Sequence, residues 1–305
     1  MANLPIFGVP RYQQELQESY QDEVNTFGDT KQGPIEFNIV GNNDLVDLSS
    51  IALHVVAKIT KADGTAYAAE TKDAKQEVAF INNVLHSLFS DIILSINDTI
   101  VEGGELQYNI KSMINTLFSY SNETMEKQLF ASGFAKDESG KADDVANKGY
   151  VTRKAWTGAG VSKEFYGKLF VDLFQQHRYL IGNVNMRIKL IKAAYSFALW
   201  CNIAGEKPKF VIESAKLYFK RVRPHPTILQ NIETNLGRGG VVHYPINRID
   251  IVHIPVAANT LDISKEQLFY GRVPKLIVMA MIDNDSLSGV YSKNPYNFKH
   301  NDVKI

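Results

Sequence analysis

The apolar positions of this chain change period repeatedly, and each change marks an element. From Pro34 to Val40, PIEFNIV, the residues Ile35, Phe37 and Ile39 alternate with Glu36 and Asn38, the two-residue repeat of a half-buried strand. After the turn-rich GNND, the stretch SSIALHVVAKITK sets Ile51, Leu53, Val55, Ala57 and Ile59 against His54, Lys58 and Thr60, and closes on the turn Ala62-Asp63-Gly64-Thr65. The segment NNVLHSLFSDIILSIND, Asn82 to Asp98, carries two periods in succession. Asn82 or Asn83 is placed to cap a short helix with Val84, Leu85, Leu88 and Phe89 on one face. The run Ile92, Ile93, Leu94, Ile96 then reads as a strand ending on the turn formers Asn97-Asp98. TIVEGG is a short strand stopped by two glycines. Glu105 to Tyr120 returns to helical spacing, with Leu106, Ile110, Met113, Ile114, Leu117 and Phe118 in one stripe, and Ser121 or Asn122 caps a further helix carrying Met125, Leu129 and Phe130.

Lys136 to Lys163 is polar and glycine-rich, with Trp156 and Val161 isolated among small residues, and reads as a long exposed loop. Strands resume at GKLFVDLF, Gly167 to Phe174, and at NVNMRIKLIKA, where Val184, Met186, Ile188 and Leu190 alternate with polar partners. The turn-rich connector NIAGEKP, Asn202 to Pro208, is the expected boundary between two β sets. Beyond it FVIESAKLYFKRVR (210–223) predicts a strand, Pro226 to Leu236 a short helix ended by Gly237, and RIDIVHIPV and KLIVMAMIDND two more strands. Residues 1–33 read as an N-terminal arm with a helical hint around Gln13 to Val24. The expected organisation is therefore an arm (1–33), a first β unit (34–200) and a second (208–305), without sequence identity between the halves. Helices gathered in connections, rather than alternating one for one with strands, favour antiparallel sandwiches over a parallel α/β sheet.

At 305 residues, 45% hydrophobic and 22% charged, the chain can bury a large core, as two domains or one large β unit. Thirty-three basic side chains balance thirty-three acidic ones, which removes the broad positive field of a DNA-condensing protein. A single cysteine, Cys201, excludes an internal disulfide framework and fits folding in a reducing compartment. No run approaches the ~20 apolar residues that cross a bilayer. The leader MANLPIFGVPRYQQ is not a secretory signal, and Ala2 stands where myristoylation needs glycine, so the expectation is a soluble intracellular chain.

Chemistry is hard to find. The seven histidines, at 54, 86, 177, 225, 243, 253 and 300, lack the i, i+4 spacing of helical metal ligands and read as structural. No nucleophile elbow or phosphate loop occurs, and GRGG (Gly237 to Gly240) follows a helix instead of opening one, so it reads as a helix stop. Asp143-Asp144 and the pair Asp283, Asp285 could be imagined as a glycosidase pair or calcium ligands, but local turn bonding is the simpler reading. The basic group Lys216, Lys220, Arg221 and Arg223 is the best nucleic-acid candidate, set against a solvated sheet face. Phe269, Tyr270, Tyr291, Tyr296 and Phe298 are weighed as a stacking platform or, in preference, as interface or core. The expectation is no catalytic residue, no metal site, no cofactor and no specific nucleic-acid recognition.

Three stretches carry a resemblance: PIEFNIVGNNDLVDLSSIALHVVAKITKADGT (34–65), NNVLHSLFSDIILSIND (82–98) and SGVYSKNPYNFKH (288–300). Together, with the order of the intervening segments, they resemble the capsid proteins of Polinton (Maverick) elements and adintovirus-like double-stranded DNA viruses over most of residues 34–300. The resemblance implies an all-β chain with helical insertions, a double jelly-roll of two antiparallel eight-stranded sandwiches side by side. It further implies a major capsid protein without enzymatic activity, forming homotrimers that tile an icosahedral shell as pseudo-hexagons. Its partners would be copies of itself, neighbouring capsomers and a minor vertex protein, and its location the virion after synthesis in host cytoplasm. The family pattern continues past Asn-Pro-Tyr-Asn-Phe with more strands, so the second barrel is expected to be incomplete. Two other readings stand beside it: a minor single jelly-roll vertex protein with no second β set after Pro208, and a carbohydrate-binding or carbohydrate-active sandwich using Asp283 and Asp285.

Overall fold

A computed structural model describes residues 15–68, 77–104 and 107–257, and beyond them 260, 262–265, 268, 271, 273–299 and 301. The strands among these are β1 (Leu16–Asn25), β2 (Ile35–Ile39), β3 (Leu45–Thr60), β4 (Val78–Phe80), β5 (Phe89–Ile96), β6 (Thr99–Glu102), β7 (Lys163–Lys168), β8 (Tyr179–Leu180), β9 (Met186–Lys192), β10 (Leu199–Cys201) and β11 (Lys209–Pro224). One sheet runs β1-β11-β3-β7, with β8 pairing β3 farther along; the facing sheet runs β2-β9-β5-β6, and β4 pairs with β10 alone. With β7 and β8 taken as one interrupted strand, and β4 and β10 set aside, the eight main strands lie in the orders 1-8-3-6 and 2-7-4-5. That winding, all antiparallel, is a jelly roll.

The register explains the core. Across the second sheet Ile39, Met186 and Ile96 lie in one row, Phe37, Ile188 and Leu94 in the next, and Ile35, Leu190 and Ile92 in the third. Directly opposed residues share a face, so each row lays its apolar side chains on the opposite sheet. All of these except the half-buried Ile96 are buried. The first sheet is built on its two sixteen-residue strands, β3 and β11. A bulge between Ile212 and Ser214 lets Ile212 and Ala215, three positions apart, both point inward opposite Ala57 and Val55.

Helices α1 (Val84–Ser87), α2 (Tyr108–Ser119), α3 (Asn122–Lys127), α4 (Lys148–Thr157), α5 (Tyr195–Ala198), α6 (Pro226–Gly237) and α7 (Asn284–Ser288) sit in the connections. Ser121 caps α3 by accepting the Thr124 N–H, as its position predicts. Gly103 is required where it stands: its φ is 116°, and a Cβ there would lie 2.4 Å from the Ile92 carbonyl oxygen. The all-β architecture with helical insertions is thus present, and no helix among the described residues is long and apolar enough to cross a membrane.

Several expectations are corrected. Residues 16–25 form β1, the edge strand of a sheet; their alternation of Tyr20, Asp22 and Val24 on the half-buried side is a two-residue repeat and outweighs the helical hint. The presumed exposed loop 136–163 contains α4, whose buried face is Gly149, Tyr150, Arg153 and Thr157. A face of polar and small residues carries no hydrophobic period. Gly167 to Phe174 is not one strand: β7 ends at Lys168 and Asp172–Gln175 is a 3₁₀ turn. The connector Asn202 to Pro208 lies inside the sandwich, because β11, expected to open a second unit, fills the slot between β1 and β3. RIDIVHIPV and KLIVMAMIDND form no strand among the described residues, apart from a lone bridge between Met281 and Lys299.

Candidate functional site

The basic strip on β11 faces acids on β1. Arg221 donates from Nε to Asp22 Oδ2 at 2.8 Å, from Nη1 to Asn42 Oδ1 at 2.8 Å and from Nη2 to the Val40 carbonyl at 3.0 Å. Arg223 reaches Glu18 at 2.9 Å and Asp44 at 3.3 Å, and Lys216 reaches Glu23 at 3.2 Å. Asp44 also accepts the Tyr20 hydroxyl at 2.7 Å, and this bond to a carboxylate raises the Tyr20 pKa above its ordinary value. Of the four basic residues singled out in the sequence, three are therefore tied to carboxylates within the chain, and Lys220 stands exposed on the same edge. The strip is a clasp for β1, which leaves little free positive charge for a phosphate backbone.

A second set of contacts locks the helical insertion. Arg153, buried on α4, donates to the carbonyls of Phe80 and Ala135, both at 3.0 Å, and pairs with Asp137 at 3.0 Å. Burial pulls its pKa down while Asp137 pushes it back up. Asn82, expected as a helix cap, instead accepts the Ala135 N–H at 2.9 Å and donates to Asp137 at 3.1 Å. This knot of polar groups buried behind β4 was missed in the sequence; Asn82 and Arg153 are 71 positions apart and share no motif.

The SGVYSKNPYNFKH stretch returns to the same region. The Cys201 N–H donates to the Tyr291 carbonyl at 2.8 Å, and Trp200 Nε1 to the Ser292 carbonyl at 3.2 Å. Asp143 accepts the Asn294 N–H at 2.6 Å and the Asn297 amide at 2.8 Å, and Tyr296 donates to the Asn109 carbonyl at 3.1 Å. Tyr296 packs with Met113, Met125, Phe134, Tyr150 and Trp200 in a satellite core. Tyr291, Tyr296 and Phe298 therefore serve as packing groups, as preferred; Phe269 and Tyr270 lie outside the described residues. Asp143 is a loop anchor. Asp283 pairs with Lys299, and among the described residues no three His, Cys, Asp or Glu side chains gather at metal-binding distance.

His86 is buried, its ring 4.7 Å from that of Phe170 and its Nδ1 2.8 Å from the Tyr108 hydroxyl. That hydroxyl accepts the Phe170 N–H at 3.2 Å, so its own proton is available to a neutral imidazole. Burial holds the His86 pKa down at about 3. His54 lies on the outer face of β3, 3.5 Å from Glu164. GRGG stops α6 as expected, with the Gly239 and Gly240 N–H groups closing on Leu236 and Asn235.

Several apolar side chains remain on the surface. Leu117 and Phe118, expected on the buried stripe of α2, face outward, Phe118 at 72% exposure, because Tyr108, Ser112 and Thr116 take the inner face. No residue of α6 is buried, although Ile228, Leu229, Ile232 and Leu236 make an apolar stripe on it. Residues 243–253 strap along the sandwich edge through side-chain bonds such as Tyr244 Oη to the Tyr179 carbonyl at 3.0 Å and His253 to Gln107 at 2.7 Å. They line a cleft of about 210 Å³ against Ile100, Glu102 and Lys111. Farther on, Val273 is 97% exposed, Leu276 77% and Met279 63%.

No known family model matches the chain. The uncharacterized protein F54H12.2 of Caenorhabditis elegans is 22% identical over 274 residues, covering 88% of this chain and 64% of its own length. Among solved structures, a chain in the cryo-EM structure of the Sputnik virophage matches with a TM-score of 0.50 at 12% identity, over 74% of this chain and 53% of that one. The Faustovirus major capsid protein matches at 9% identity with a TM-score of 0.49, over 77% of this chain and 59% of that one. This chain therefore spans about two thirds of the worm protein and about half of the virophage chain. The likeness to the virophage chain is one of fold.

Proposed function

We propose that this chain is a structural shell subunit, a major capsid protein of double jelly-roll type related to the Polinton and adintovirus-like group, with no enzymatic role. The observation that carries the reading is the shared fold with a chain of the Sputnik particle across 74% of this sequence. In this reading the closed sandwich of residues 16–224 is the first barrel, and the apolar runs after α6 belong to a second. Three such chains would make a pseudo-hexagonal homotrimer that tiles an icosahedral shell and contacts neighbouring capsomers and a minor vertex protein. Obligate interfaces of this kind bury about 2,000 Å² or more, and aliphatic and aromatic surface supplies them without net charge. The exposed side chains of α2, α6 and residues 273–279 are of that type.

One observation favours a second reading. After Pro224 no described residue joins a ladder except at the Met281–Lys299 bridge, which suits a single jelly-roll vertex protein. Sedimentation at micromolar concentration, with electron microscopy of the co-expressed neighbouring genes, separates the two. A trimer is expected and a pentamer selects the vertex protein; a strict monomer, for this chain and for the full-length gene alike, overturns both.

A further inference from the structure

Among the main strands of the sandwich the edge strands β1 and β6 bury no residue, and β1 is held to its neighbour by three ion pairs. None of its ten residues is buried, whereas three of the five in β2 are. Its side chains hold β11 through charge: Glu18 to Arg223, Asp22 to Arg221 and Glu23 to Lys216. The groove it occupies does not need it to keep its shape. Arg221 stays tied to Asn42 and the Val40 carbonyl, Arg223 to Asp44, and β11 is laddered to β3 from Lys209 to Val222. The linker to β2 carries Gly28 and Gly33, both at positive φ with open space around the missing Cβ, and Phe27 between them and the strand is 83% exposed.

We propose that β1 is an exchangeable strand, leaving its own sandwich to dock on the β11 edge of a second copy of this chain. Charge complementarity specifies the occupant: the groove offers Lys216, Lys220, Arg221 and Arg223, and the acids that meet three of them are the chain's own, Glu18 directly opposite Arg223, and Asp22 and Glu23 diagonally placed on Arg221 and Lys216. Exchange replaces every ladder bond and ion pair with an identical one, so its thermodynamic cost is small and its barrier is the opening of an edge strand. Two of the three ion pairs on this edge, Glu18–Arg223 and Glu23–Lys216, are exposed, and salt lowers that barrier.

The test uses the full chain with Cys201→Ala. Gln21 and Lys220 face each other across the ladder and are both exposed. A chain carrying both Gln21→Cys and Lys220→Cys should form an internal disulfide on oxidation, which establishes folding and register. Gln21→Cys on one tagged chain is then mixed with Lys220→Cys on another of different mass. A mixed disulfide should accumulate at about tenfold the yield given by a Lys148→Cys control, because docking raises the effective concentration of the pair. Its rate should rise about tenfold between 50 mM and 500 mM NaCl, as exposed ion pairs are screened. No mixed disulfide at any salt concentration, or equal yields at Lys220 and Lys148, would overturn the proposal.

Discussion

β9 and the run 275–281 use the same kind of residues and end differently. In β9, Met186, Ile188 and Leu190 are buried, flanked by ladders to β2 and β5. In KLIVMAM, Leu276, Ile277, Val278 and Met279 are all exposed, with no ladder on either side. The contrast separates two requirements that a hydropathy pattern merges: a side chain needs an apolar face to cover it, and its backbone needs N–H and C=O partners on adjacent strands. β9 has both. The second run has no polar alternation either.

That contrast can be broken at either end. Phe37→Ala, in the middle row beside Ile188, should cost about 3–5 kcal/mol in denaturant unfolding, and its survival without loss would mean the row is not the core. Arg153→Met should cost a comparable ~3–5 kcal/mol, since Asp137 and two carbonyls are left without their donor; calorimetry of the variant reads it directly. For His86 the sign follows from burial. The folded chain holds it neutral down to about pH 3 while the unfolded chain protonates near 6.5, so stability falls as pH drops through that window. At pH 5 the loss should be about 2 kcal/mol, and a His86→Asn variant should lack this part of the pH slope. Tyr296→Phe, which removes the bond to Asn109, should cost about 1 kcal/mol and loosen the return of residues 288–299 toward limited proteolysis. Leu276→Ser should change stability by less than about 0.5 kcal/mol yet reduce self-association in light scattering. A large stability loss there would show that the run is already packed.

The strands of the second sheet were readable because each is half-buried: Ile35, Phe37 and Ile39, or Met186, Ile188 and Leu190, alternate with polar neighbours. Ser121 and the GRGG stop were readable because capping is local. α4 was not, since its inner face is Gly149, Tyr150, Arg153 and Thr157, and its stability comes from partners far away in the chain. The basic strip was seen, but its acids lie about 200 positions earlier, and charge pairing across that separation leaves no trace in spacing.

Local order along the chain was enough to establish an antiparallel β protein with helices in its connections and a surface lacking net charge, because side-chain period and turn chemistry act over a few residues. Packing alone decided that β11 closes the sandwich and that β1 completes it. Packing also set Lys216, Arg221 and Arg223 against acids of β1 and left the apolar runs after α6 uncovered. Those outcomes depend on which strand edge is vacant and which carboxylate lies opposite, and both are properties of the assembled sheet.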